Sequence, residues 1–198
     1  MKYFLAVLML LPTWLVAAEP AVKEGVAIFA GGCFWCTEAD FDKVSGVIST
    51  TSGYIGGDIE RPTYEQVSRG GTGHLEAVKV VFDPDKIDYS GLLDAYWPTV
   101  DPVDAGGQFC DRGYHYRSAI FYVDDNQRQL AEESKKALAS SGRLAGEIAT
   151  LILPGASFWP AEEYHQNYAK RNPLRYNYYR SRCGRDQRLE EVWNQQAP

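Results

Sequence analysis

The chain has no run of basic residues, no low-complexity segment and no internal repeat, and its formal net charge is -6. That balance argues against nucleic acid as a partner. Paired metal-ligand spacing is missing too: His74, His115 and His165 stand singly, and they read as packing or hydrogen-bonding residues. The apolar N-terminal stretch, Tyr3 to Val16, contains Pro12 and is too short to span a bilayer comfortably, which argues against stable membrane insertion. Cysteine is scarce, at four residues, and none lies where a lipoprotein anchor needs one.

What is present at the N-terminus reads as an export signal. Lys2 supplies a positive start, an apolar run follows, and Val16-Ala17-Ala18 offers small residues for cleavage before Glu19. Residues 1–18 are therefore expected to be a leader cleaved after Ala18. The mature chain, 19–198, is expected to reach the periplasm or cell envelope as a single catalytic domain of about 180 residues, long enough for a sizeable core.

The chain is organised around Gly31-Gly32-Cys33-Phe34-Trp35-Cys36-Thr37-Glu38. The preceding Val26 to Ala30 has strand length, and the glycines allow a sharp exit into a helix. Free N–H groups at such a helix start favour a thiolate at Cys33. The plainer alternative is a small buried hydrophobe. In an exported chain four cysteines suggest two structural disulfides, yet Cys33 and Cys36 close almost no loop and make a poor staple. Redox exchange or metal ligation suits them better. Zinc is the rival reading, although Cys110 and Cys183 do not form a second close pair.

Beyond this stretch, Phe34, Phe41 and Val44 predict a helix of about three turns ended near Gly46, then a strand from Val47 to Ile55. Gly56 to Tyr64 reads as a loop, with Tyr64 a packing residue at its end. In the strand Leu75 to Phe82, alternation puts Glu76 with Val78, Val80 and Phe82. If that face is buried, Glu76 holds its proton tightly and can act as a general acid. Equally, Leu75, Ala77 and Val81 face inward and Glu76 faces water. A helix over Tyr89 to Trp97 follows, then a long loop from Asp101 to His115, of a size that is often functional. A strand from Tyr116 to Val123, a helix from Asn126 to Ser140, a strand from Ile148 to Leu153 and a short helix from Ala161 to Lys170 complete the regular part. Past Pro173 no periodicity is evident, so a long irregular tail wrapped over the body is expected. Strands and helices without a regular βα repeat predict an α+β domain, with a split βαβ (ferredoxin-like) mixed sheet covered by helices.

Several stretches together resemble the peptide methionine sulfoxide reductase A family. They are Gly-Cys-Phe-Trp at 32–35 with Glu38, Gly-Tyr-Ile-Gly-Gly at 53–57, Pro-Thr-Tyr at 62–64, Gly-His-Leu-Glu at 73–76, Tyr-Arg-Ser at 116–118 and Ala-Glu-Glu-Tyr-His-Gln at 161–166. They occur in the family's order over nearly the whole mature chain. The resemblance implies reduction of the S epimer of methionine sulfoxide, free or in peptides. It makes Cys33 the nucleophile, Phe34 and Trp35 the pocket for the substrate methyl group, and Glu76 the acid on the sulfoxide oxygen. Tyr64 and Tyr116 would bind that oxygen, and Asp111 would order the site through water. No cofactor is implied. An external dithiol protein, thioredoxin or one like it, would reset the enzyme, and a monomer is expected.

The chemistry asks for an acid kept neutral beside an ionised thiol, because a sulfoxide oxygen leaves only once protonated. Cys33 would become a sulfenic acid, which a second thiol condenses to a disulfide. Cys183, among arginines in a glycine-flanked tail, is the first choice as resolver; Cys36 is second and Cys110 third. Two other functions stay open. A thioredoxin-like disulfide oxidoreductase would use Cys33 and Cys36 without needing Glu76, Tyr64 and Tyr116, and a zinc-stabilised binding module would use all four cysteines.

Overall fold

The structure, a computed structural model, describes residues 23–194. The expected leader and its cleavage point lie outside the described residues. Six strands form one mixed sheet. In chain order they are β1 (Gly25–Gly31), β2 (Val47–Ile55), β3 (Leu75–Phe82), β6 (Ser118–Tyr122), β7 (Leu151–Pro154) and β8 (Trp159–Pro160), and in space they run β7-β6-β1-β3-β2-β8. A separate two-residue hairpin, β4 (Gly107–Gln108) with β5 (Asp111–Arg112), sits in the long loop.

β1 and β2 both pair antiparallel with β3, which lies between them. They are therefore parallel to each other and joined by α1 (Phe34–Phe41) in a split βαβ unit. α1 has eight residues, shorter than the three turns expected. Because β3 is central, both of its faces are buried near the site, as its nearly continuous apolar sequence requires. Val78, Val80 and Phe82 join Ala27 and Phe29 in the main core, beneath α1, α3 (Tyr89–Tyr96) and α4 (Asp125–Ser140). Leu75 and Ala77 join Ile28, Ala30 and Phe121 on the opposite face. Phe29 anchors the helical side, with ring centroids 4.9 Å from Phe41 and 5.0 Å from Tyr96. Such pairs add about 0.5–1.5 kcal/mol beyond their buried area.

The expected irregular tail is helical. α5 (Tyr168–Arg171), α6 (Pro173–Arg182) and α7 (Arg185–Trp193) follow β8 in close succession. The signal was hidden because only one buried position is aliphatic: α6 buries Tyr176, and α7 buries Arg185 together with Val192. Arg185 is 1 % exposed and donates to the Gly31 carbonyl at 3.1 Å and the Thr99 carbonyl at 2.6 Å. Arg180 bonds both Asp40 and Asp186. Polar anchors thus replace an apolar stripe. The helix expected over 161–170 is broken at Asn167, whose φ is +51°, leaving a 3-10 turn at Glu163–His165 before α5. The strand expected from Tyr116 starts at Ser118, since Tyr116 closes a 3-10 turn.

A disulfide joins Cys110 in the long loop to Cys183 at the end of α6, across 73 residues. A loop of that size restricts the unfolded chain by on the order of 4 kcal/mol in the chain-entropy description. Replacing both cysteines by serine is expected to lower the urea midpoint by an amount corresponding to about 2–4 kcal/mol and to raise the m-value, because the freed unfolded chain exposes more surface. Equilibrium unfolding of the two proteins checks this, and an unchanged midpoint would contradict it.

Candidate active site

β1 ends at Gly31, and Gly32 turns the chain with φ of +83°. A Cβ at Gly32 would lie 2.6 Å from Gln108 Cβ, so both the angle and the close approach require glycine. Cys33 then caps α1, its carbonyl accepting from the N–H groups of Cys36 and Thr37 at 3.1 and 3.2 Å. The first free N–H of the helix, that of Phe34, donates to Glu76 Oε2 at 3.0 Å. Strand β3 therefore delivers its carboxyl to the start of the helix that carries the cysteine.

Glu76 is 2 % exposed and shares the main-core face with Val78 and Val80. The face that bears Glu76 is buried, and so is the opposite one with Leu75 and Ala77. Burial pushes the Glu76 carboxyl up to about 8, against the opposing pull of the Phe34 N–H and with help from the negative charge of Asp111. The group carries a proton at neutral pH.

Cys33, Phe34, Trp35, Tyr64, Glu76, Asp111 and Tyr116 converge on one pocket of about 70 Å³. They come from α1, the start of α2 (Tyr64–Ser68), β3, β5 and the turn before β6. That volume suits the end of an unbranched side chain. Tyr179 of α6 completes the wall and was not foreseen, because it lies in the segment read as irregular. Its hydroxyl donates to Asp111 Oδ2. Burial raises the Asp111 carboxyl, and the Tyr179 hydrogen bond and the Arg185 charge oppose that rise. Burial also raises Tyr64 and Tyr116, which keeps their hydroxyls available as donors.

The segment Ala161 to Gln166 holds the pocket's aromatic side. His165 Nδ1 accepts from Trp35 Nε1 at 3.0 Å, which puts the imidazole proton on Nε2. Burial pushes the His165 pKa down and keeps the ring neutral. The same ring lies 4.9 Å from Phe34 and 4.6 Å from Tyr64, centroid to centroid. Glu162 accepts from the Tyr64 backbone at 2.8 Å and from the Tyr54 hydroxyl at 2.9 Å. Trp35 stacks on Tyr168 at 3.7 Å with planes 6° apart. Glu38 is buried beneath, and burial pushes its carboxyl up to about 7.

Two expectations about the cysteines need correction. Cys33 is 6 % exposed, and burial pushes its thiol well up, reinforced by a hydrogen bond to Cys36 and by the Glu76 and Asp111 charges. At Cys33 desolvation thus works against the thiolate and outweighs a two-turn helix dipole worth about 0.3–1 kcal/mol. Cys36 moves the other way, pulled down by the hydrogen bond from Cys33 and by the charges of Arg185 and Arg180. Cys183 is not a free thiol on a swinging tail but is bonded to Cys110 at the end of a packed helix. Cys110, Asp111 and Cys183 are close enough to suggest a metal cluster, yet the two sulfurs are spent on each other, so the four cysteines do not assemble as zinc ligands.

The family model for peptide methionine sulfoxide reductase matches residues 25–197. The chain belongs to this family. It is 54% identical over 173 residues to the peptide methionine sulfoxide reductase MsrA of Bacillus licheniformis, covering 87% of this chain and 96% of that one. With the MsrA of Bacillus subtilis it shares 50% over 171 residues, 86% of this chain and 97% of the relative. Among solved structures, Mxr1 from Saccharomyces cerevisiae in reduced form superposes with a TM-score of 0.70 at 30% identity, covering 80% of this chain and 91% of that one. Methionine sulfoxide reductase A of Corynebacterium diphtheriae gives 0.67 at 34% identity and 76% of each chain. The α+β fold is thus that of this reductase family.

Two outcomes follow from the site. Glu76 keeps its proton up to about 8 in the folded protein and loses it near the ordinary carboxylate value when unfolded. Stability is therefore expected to decline as pH rises from about 4.5 to about 8, and Glu76→Gln to shrink that decline, leaving the part due to Glu38, which burial pushes up to about 7; pH-dependent urea unfolding reads it. His165→Phe keeps a ring and removes the acceptor for Trp35, and is expected to raise KM for a blocked methionine sulfoxide about 5–10-fold, a loss of roughly 1 kcal/mol typical of one hydrogen bond. Combined with Trp35→Phe, it should add little further; full additivity would remove the coupling between the two residues.

Proposed function

We propose that the protein reduces the S epimer of methionine sulfoxide, free or within polypeptides, by thiol chemistry at Cys33. The reading rests on one juxtaposition: a carboxyl that keeps its proton at neutral pH, Glu76, and a cysteine, Cys33, lining the same small pocket flanked by aromatic rings. The substrate methyl group lies against Phe34 and Trp35. Its oxygen faces Glu76 and the hydroxyls of Tyr64 and Tyr116, and Asp111 orders the remaining polar corner through water.

In the first step the Cys33 sulfur bonds to the sulfoxide while Glu76 protonates the oxygen. Cys36, pulled down by Cys33 and two arginines, is placed to accept the Cys33 proton. Methionine leaves and Cys33 holds the oxygen as a sulfenic acid, so the substrate sulfur is reduced by two electrons and Cys33 is oxidised by two. Cys36 then displaces water to give a Cys33–Cys36 disulfide. Its position beside Cys33, and the engagement of Cys183 with Cys110, favour Cys36 over Cys183 as resolver. A dithiol protein, thioredoxin or one of similar chemistry, returns both thiols, and no cofactor enters. The leader-like residues 1–18 support an exported enzyme acting in the periplasm or envelope, and we infer a monomer.

Single turnover of the reduced protein on separated epimers of a blocked methionine sulfoxide tests this. Consumption of the S epimer alone, with two thiols lost per product, is the expected result. Cys33→Ser should yield no product. Cys36→Ser should lose the second thiol at this site and, if it still makes product, stop after one turnover. Unimpaired recycling by Cys36→Ser would return the resolving role to Cys183 or Cys110.

A further inference from the structure

The pocket opens beside an exposed face of α6. A groove of about 340 Å³ runs from Trp35 and Tyr179, which also wall the catalytic pocket, to Arg175, Tyr178 and Arg182, with the Cys110–Cys183 disulfide at its side. Positions 175, 178 and 182 follow helical spacing and share one side of α6. Tyr178 is 70 % exposed and Leu174, on the preceding turn, 88 %. Large apolar groups grouped in this way beside a site mark a contact surface rather than incidental exposure.

The arginines point to the kind of ligand. Arg171 bonds Glu163, Arg180 bonds Asp40 and Asp186, Arg185 bonds two carbonyls and Arg188 bonds Asp101. Arg175 and Arg182, both exposed, have no salt bridge among the described residues. A protein of formal charge -6 thus leaves two guanidinium groups uncompensated at the mouth of its pocket. Arginine and tyrosine are also the residue types that most often carry contact energy.

We propose that this groove binds the polypeptide segment beside the oxidised methionine and selects substrates with acidic residues there. The proposal rests on the reductase reading and extends it to the substrate's flanks. An extended chain advances about 3.3 Å per residue, so two or three residues beside the methionine cover roughly 7–10 Å of surface leading out of the pocket.

The test uses dithiothreitol as reductant, so no protein reductant is present. Three substrates are compared at low and high salt: a blocked methionine S-sulfoxide, a pentapeptide with the sulfoxide flanked by aspartates, and the same peptide flanked by lysines. At low salt the aspartate peptide is expected to show a kcat/KM about 5–10-fold above the lysine peptide, the advantage shrinking as salt screens it. Arg175→Glu with Arg182→Glu should invert the order while leaving the blocked residue within twofold. Equal rates for the two peptides, or an order unmoved by charge reversal, overturn the proposal. A parallel assay with thioredoxin in place of dithiothreitol completes the test: a variant slowed only there gives the groove to the reductant and likewise overturns the proposal. Failure of the unaltered protein to reduce even the blocked residue overturns the reductase reading itself, a result distinct from loss of flank preference alone.

Discussion

The hydrogen bond from the Phe34 N–H to Glu76 joins the two elements on which the site depends. One end belongs to the start of α1, which presents Cys33, and the other to the central strand β3. Burial on an apolar face denies the carboxyl its water, and a single N–H does not restore what is lost, so the proton stays. A reductive step that needs a neutral acid near a thiol therefore finds the acid prepared by the fold itself. The opening in the chain that makes this contact possible is Gly32, where any side chain would meet Gln108.

Around this contact the protein builds two supports of different character. On the aromatic side, residues 161–166 and α5 grip Trp35 and Tyr64 through His165, Glu162 and Tyr168, so that rings with rotational freedom become fixed walls. On the polar side, α6 supplies Tyr179 to Asp111, and α7 sends the buried Arg185 back to the carbonyl of Gly31. The C-terminal helices are thus part of the pocket. They are held by arginine and tyrosine contacts and by the Cys110–Cys183 disulfide more than by an aliphatic stripe.

The cysteines divide along the same line. Cys33 and Cys36 are buried, unbonded and electrostatically linked, one pushed up by desolvation and the other pulled down by its partner and two arginines. Cys110 and Cys183 are tied together at the surface. One pair is suited to chemistry, and the other fixes the loop bearing Asp111 to the helix bearing Tyr179.

Much of this was readable from the chain. The apolar run before two glycines and Cys33 specified a strand, a sharp exit and a helix start, because those residue types have few other backbone solutions. Alternation along residues 75–82 specified a strand and left two faces for Glu76. The ordered motifs brought in the family and with it Tyr64, Tyr116, Asp111, Phe34 and Trp35, all of which line the pocket. Tertiary structure alone decided the rest. That both faces of β3 are covered, and Glu76 with them, depends on its central place between β1 and β2, a long-range pairing that no local pattern encodes. The helices beyond Pro173 were invisible because tyrosine and arginine bury by hydrogen bonds to partners more than 80 residues away, as Arg185 does at Gly31 and Thr99. The state of each cysteine was equally hidden. A local helix start favours a thiolate, but desolvation by the whole fold is the larger effect, and only the packed chain brings Cys110 to Cys183.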